Sequence, residues 1–123
     1  MKKIVFIILV ILISFDSALA QVTSCDQLID YVNKNGSRKD RIDSALNESS
    51  WLKKVESFTI ENSIVVIAEL YTDEHYLNSK KYIFCNVPEM EWDAFNNNRK
   101  LLLAKSLGEL FHEYIYEFKC NCD

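Results

Sequence analysis

Four cysteines constrain this chain more than any other feature: Cys25, Cys85, Cys120 and Cys122. The last two stand one residue apart in FKCNCD. An even set in a short chain reads as a metal framework, a redox pair or two disulfides, and the compartment decides among these. The opening residues point to export. MKK is a short basic stretch, IVFIILVILISF an uninterrupted apolar run, and ALA places small residues at Ala18 and Ala20. Together they have the form of a secretory leader over 1–20, cleaved before Gln21. The run from Ile4 to Phe15 falls short of the roughly 20 apolar residues a membrane span needs. No later segment reads as a transmembrane helix.

VTSC at Val22 to Cys25 offers a competing reading, a lipobox in which Cys25 would carry a lipid anchor. Asp16 and Gln21 separate the apolar run from that cysteine, however, and lipidation would leave an odd thiol in an oxidising space. Zinc is the next alternative, with Cys120, Cys122 and His112 joined by Cys85 or His75. That spacing matches no common zinc framework. A catalytic dithiol is normally C-x-x-C at a helix N-terminus, whereas this pair follows the end of a helix. No metal or cofactor is therefore expected, and the cysteines read as staples. Pairing Cys120 with Cys122 would close a small strained ring. Cys25 and Cys85 are left to take one tail cysteine each, with the choice of partner open.

Loss of the leader would leave 103 of the 123 residues, enough for one domain. It would remove two lysines and one aspartate from 14 basic and 18 acidic side chains, leaving 12 against 17 and a net charge of −5. Without a lysine–arginine block, such a chain has no electrostatic basis for general nucleic-acid binding. Gly36, Gly108 and Pro88 are the only glycines and proline, so no linker or low-complexity arm is expected.

Ser24 and Gln27 form a capping-box pattern that opens a first helix. Cys25, Leu28, Ile29 and Val32 then fall on one stripe, and Asn35-Gly36 ends it. SRKDRIDSALNES reads as a polar loop. Asn35-Gly-Ser and Asn47-Glu-Ser are formal glycosylation sequons, relevant only in a eukaryotic source. KKVESFTI has strand character, Glu61-Asn62 suits a tight turn, and SIVVIAELY is a β-branched central strand. KKYIFCNV is a third strand, after the polar connection TDEHYLNS. Pro88 fits the first position of a short helix burying Trp92 and Phe95, which Asn96 to Asn98 end. Ser106 and Glu109 form a second capping box, opening a long last helix whose stripe is Leu107, Leu110, Phe111, Tyr114, Ile115 and Phe118. The expected class is α+β: an antiparallel sheet of about three strands, packed with an N-terminal helix, a short Pro-started helix and a long C-terminal helix.

SSWLKKV (Ser49 to Val55), YIFCNVPEMEWDAF (Tyr82 to Phe95) and SLGELFHEYI (Ser106 to Ile115) occur in an order that resembles the KTSC domain, found at the C-terminus of some lysyl-tRNA synthetases. The resemblance covers about Ser49 to Phe118 and implies a small α+β module, a fold rather than a defined activity. It divides the chain into a leader (1–20), a helix-and-loop extension (21–48) and a KTSC-like domain with its Cys-x-Cys tail (49–123). The leader, the added helix, the four cysteines and Leu107, where the family often has lysine, set this chain apart from any synthetase or RNA association.

Candidate sites are few. Ser106, His112 and Glu109 could form a Ser/His/acid set, but six residues of one helix separate Ser106 from His112, an awkward span for a proton relay. His75 reads as an exposed loop histidine. Gly108, in a first helical turn, costs about 1 kcal/mol against alanine. Close packing by Trp92 or a strand would explain it. So would an anion site at Lys105, Ser106, Leu107 and Gly108, with Arg99 and Lys100 in the loop before it. Trp51, Tyr71, Tyr76, Tyr82 and Trp92 exceed the needs of a small core, so some could line a binding face, although core packing accounts for most. The expected function is that of an exported, disulfide-stapled binding module with an unspecified protein or small-ligand partner. A small anion-binding protein or hydrolase built on the Ser106–Gly108 helix start is the alternative.

Overall fold

The computed structural model describes residues 24–43, 51–100 and 105–122. The leader, Val22 and Thr23 of VTSC, the Asn47 sequon, and Ser49 and Ser50 of SSWLKKV lie outside the described residues. Helix α1 (Cys25–Asn35) is followed by strands β1 (Ser37–Asp43), β2 (Leu52–Ile60), β3 (Ser63–Tyr71) and β4 (Ser79–Val87). Helices α2 (Glu89–Lys100) and α3 (Leu107–Tyr114) and a 3-10 turn (Tyr116–Phe118) complete the order. The strands form one antiparallel sheet in the order β1-β2-β3-β4. The α+β class is thus observed, with a fourth strand.

That strand is the main correction. Residues 37–43, read as loop, pair with β2 from Ser37 opposite Thr59 to Asp43 opposite Lys54. SRKDRID carries no apolar alternation because β1 is an edge strand exposed along most of its length. Only Ile42 is buried. Its charges suit a sheet edge, where they discourage further pairing, and the ladder to β2 supplies what local propensity does not.

The two hairpin-forming turns have different physical origins. Glu61 and Asn62 both have positive φ, 48° and 67°, the mirror-image turn whose twist matches that of paired strands. Between β3 and β4, Asp73 does the work of the turn: its Oδ1 accepts from the backbone N–H groups of Leu77 and Asn78, at 3.1 Å each. In β4 a bulge at Cys85-Asn86, with Asn86 at φ 51°, opposes two residues to one of β3 and returns Val87 to the same face as Phe84.

Each sheet face has its own core. On one, Leu52, Val55, Val66, Ala68, Phe84 and Val87 pack under Trp92 and Phe95 of α2 and Leu107, Leu110 and Phe111 of α3. Phe111 lies edge-on to Phe84, Phe95 and Trp51, a favoured geometry for aromatic pairs. The Trp92 indole N–H donates to Asp40 Oδ2 at 3.0 Å, satisfying a buried donor. On the opposite face Leu28, Ile29 and Val32 of α1 cover Phe58, Ile60, Val65, Ile67 and Ile83.

Both capping boxes form as read, Ser24 with Gln27 and Ser106 with Glu109. Gly36 ends α1 with φ −85°, so a left-handed cap is not the reason for glycine there. A Cβ at Gly36 would meet the Val32 carbonyl oxygen at 2.9 Å, and close approach of backbone to backbone explains it. Helix α2 does not end at Asn96 to Asn98 but runs on to Lys100. The Asn98 amide donates to the Ala94 carbonyl at 2.7 Å and the Tyr114 hydroxyl at 3.3 Å, and Asn96 Oδ1 accepts from the Arg99 guanidinium. Side-chain bonds within and beside the helix keep these asparagines from breaking it. Helix α3 spans only eight residues, and the stripe reaches Phe118 through the 3-10 turn.

Candidate functional site

The cysteines set the geometry of the α1 face. Cys25, the first residue of α1, is bonded to Cys122 with Cα atoms 5.1 Å apart. Cys85, in the β4 bulge, is bonded to Cys120 with Cα atoms 5.0 Å apart. None is free. The sulfur of Cys25 is thereby committed to Cys122. The backbone adds to this: Lys119 forms an antiparallel bridge with Phe84, and the Cys120 N–H donates to the Ile83 carbonyl at 3.0 Å. Residues 119–122 are thus pinned along the outer edge of β4 and against the start of α1.

A cavity of about 300 Å³ opens where this segment leaves β4. Lys80, Lys81, Tyr82, Lys119 and Asp26 are on its wall, beside Cys25 and Cys120. The Lys80 and Lys119 ammonium groups sit 5.3 and 5.2 Å from the centre of the Tyr82 ring, within the range where a ring quadrupole attracts a cation. Among the described residues, no carboxylate lies within 4.0 Å of the ammonium of Lys80, Lys81 or Lys119. These residues were not singled out by the sequence. KKY precedes IFC in β4, and Lys119 precedes Cys120, but the two stretches meet only through long-range contacts: the Cys85–Cys120 bond, the Phe84–Lys119 bridge and the Cys120 N–H to Ile83 bond.

The rest of the α1 face beyond the helix is polar and internally matched. Glu56 pairs with Arg38 at 3.0 Å and Lys54 at 3.9 Å. Glu69 pairs with Lys53 at 3.5 Å and Lys54 at 3.7 Å, and accepts from the Ser79 hydroxyl. Burial pushes the Glu69 carboxyl up, but the Ser79 hydrogen bond and the two ammonium groups outweigh it and hold the group below the usual glutamate range.

The sequence-nominated site at the start of α3 borders an open cleft of about 450 Å³, lined by Trp51, Lys105, Gly108, Glu109, His112 and Glu113. Gly108 is buried, on the wall shared with Trp51. The Ser106 N–H donates to Glu109 Oε1 at 2.8 Å, and the Glu109 N–H donates to Ser106 Oγ at 3.1 Å. These bonds lower the Glu109 pKa. Lys105 is hydrogen-bonded to Glu113, which raises the lysine and lowers the glutamate. Leu107 is a core residue. An anion entering here meets two carboxylates beside a lysine that is already paired. Arg99 and Lys100, expected in the preceding loop, belong to α2 instead.

His112 stacks on Tyr116 at 4.9 Å, and His75 is exposed in the β3–β4 connection. Of the aromatic set, Trp92 is fully buried, Trp51 and Tyr82 are partly buried against the larger core, and Tyr71 meets Tyr76 edge-on at 5.0 Å. Among the described residues, no group of three or more His, Cys, Asp or Glu side chains could hold a metal ion, and no helix is long and apolar enough to cross a membrane. No protein-family model, curated protein or solved structure matches this chain.

Proposed function

We propose that this chain is an exported, disulfide-tied binding domain of the KTSC type, acting by recognition rather than by turnover. Residues 1–20 support export through their leader pattern, and so do the two disulfides, which form and persist in oxidising compartments. The KTSC likeness draws support from the element order. β4 passes through Val87-Pro88 into a helix that buries Trp92 and Phe95, and SLGELF opens a capped helix that buries Leu107, Leu110 and Phe111.

One observation carries the non-catalytic reading: the side chains best suited to chemistry already have structural partners. Ser106 and Glu109 satisfy each other's backbone donors, Lys105 is held by Glu113, and His112 lies on Tyr116. A nucleophile needs a base within hydrogen-bond reach, and here the serine hydroxyl accepts an N–H while its helix partner is acting as a cap. Photo-crosslinking in the secreting cell tests the reading, with a photoreactive residue placed in turn at Lys81, Leu77 and Glu113. The expected result is a discrete adduct from one of these faces. Failure to form any adduct would overturn it, as would turnover of an ester or phosphoester panel that Ser106→Ala abolishes.

A further inference from the structure

We infer that the outer edge of β4 accepts an extended acidic peptide as an added strand, along Ser79–Tyr82. This rests on the binding reading above and names its partner. The Thr72 N–H donates to the Asn78 carbonyl at 3.0 Å, and β3 and β4 then stay in register from Tyr71 opposite Ser79 to Ile67 opposite Ile83. Backbone groups of successive residues in an antiparallel strand face alternate sides. Those of Lys80 and Tyr82 therefore turn toward β3, and those of Ser79, Lys81 and Ile83 turn outward. The Cys120 N–H fits this phase, reaching the Ile83 carbonyl from outside at 3.0 Å.

The C-terminal segment covers this edge at one point. It bridges Phe84 through Lys119, and two residues after Cys120 it is drawn to the start of α1 by the Cys122–Cys25 bond. Among the described residues, no backbone group reaches Lys81 from outside. The cavity of about 300 Å³ lies between this departing segment and residues 80–83. Lysines also serve to keep sheet edges from pairing. At β1 that protection is reinforced by a register shift between Arg38 and Asp40. From Ser79 to Ile83 the ladder has no such shift, and the edge is regular.

Side chains define the partner. Lys81 shares the α1 face with Ile83, while Lys80 shares the other face with Tyr82, whose ring both Lys80 and Lys119 approach. Lysines on both faces suit an added strand, whose own side chains alternate between those faces. Main-chain bonds to the edge would supply affinity and the alternating side chains selectivity. Three lysines and one aspartate, Asp26, line the cavity. Among the described residues none of these lysines has a carboxylate within 4.0 Å. An acidic peptide matches that charge. A second copy pairing β4 with β4 would instead oppose lysine to lysine.

The test is titration of the mature, oxidised protein with an acetylated, amidated hexapeptide of alternating glutamate and valine, followed by amide hydrogen exchange. Saturable binding is expected, with protection gained at Lys81 and Ile83 and unchanged at Lys80 and Tyr82, which already face β3. Lys81→Pro removes an outward N–H and no bond to β3, and should weaken binding about tenfold. The same peptide N-methylated at every residue should lose a similar factor, a readout that does not depend on how the proline variant folds. Lys80→Ala and Lys119→Ala should each cost about threefold. Equal binding of the N-methylated peptide, tighter binding of a lysine–valine peptide, or no gain of protection at Lys81 would overturn the inference. So would protection of Lys81 in the free protein: its loss on dilution would assign the edge to a second copy, and its loss on deletion of residues 21–23 to the chain's own N-terminus. If the edge fails in any of these ways while photo-adducts form at Leu77 or Glu113, the binding-domain reading stands without it.

Discussion

The two faces of this sheet are closed by different chemistry. Under α2 and α3 the described residues bury thirteen hydrophobic side chains, four of them aromatic and fully excluded from solvent. Under α1 they bury eight, and the rest of that face is an ion-paired polar surface. Both disulfides lie on the second face. In chain-entropy terms, loops of 97 and 35 residues correspond to about 5 and about 4 kcal/mol of restricted unfolded-chain freedom. Sulfur thus supplements the face where apolar area is scarce. A small domain gains most from cross-links where its core is thinnest.

The sharpest way to break this comparison is a matched pair of truncations. Phe111→Ala should cost about 3–5 kcal/mol, because it empties the aromatic cluster that joins Trp51, Phe84 and Phe95. Ile29→Ala should cost about 2 kcal/mol, the low end for its class, since the cross-links still hold α1 in place. Urea unfolding of the oxidised protein measures both. Equal costs would remove the asymmetry.

Those two residues also show how much was legible in advance. Both lie on helical stripes that periodicity identifies, and Leu28, Ile29 and Val32 of one and Leu107, Leu110, Phe111 and Ile115 of the other are buried. The Glu61-Asn62 turn, the extent of β3 and both capping boxes were equally readable, because each depends on residues close in sequence. β1 was not, because an exposed edge strand has no inward-facing alternation to display, and its pairing is a property of β2. The length of α2 was hidden for a related reason. Asn96 to Asn98 look like a stop until Tyr114 and Arg99 are seen to bond with them. The cavity beside β4 depended on which cysteine met which, and nothing near Cys85 or Cys120 encodes that.

A smaller effect sharpens the polar part of the α1 face. The Glu69 carboxyl is depressed in the folded state, so its contribution is complete above the ordinary glutamate pKa and is lost as pH falls through the lowered value. Glu69→Gln should therefore flatten the acid limb of stability against pH, by under about 1 kcal/mol for a partly solvated cluster. Melting temperatures across that limb, with and without added salt, read it out. An unchanged acid limb would show that Lys53, Lys54 and Ser79 do not hold the charge.

Hydrogen exchange before and after reduction of the disulfides tests most directly the claim that sulfur secures one face and apolar packing the other. The expected result is loss of amide protection in α1 and in residues 116–122, while β2, β3, α2 and α3 retain theirs. Protection lost from every element together, or from none, would contradict it.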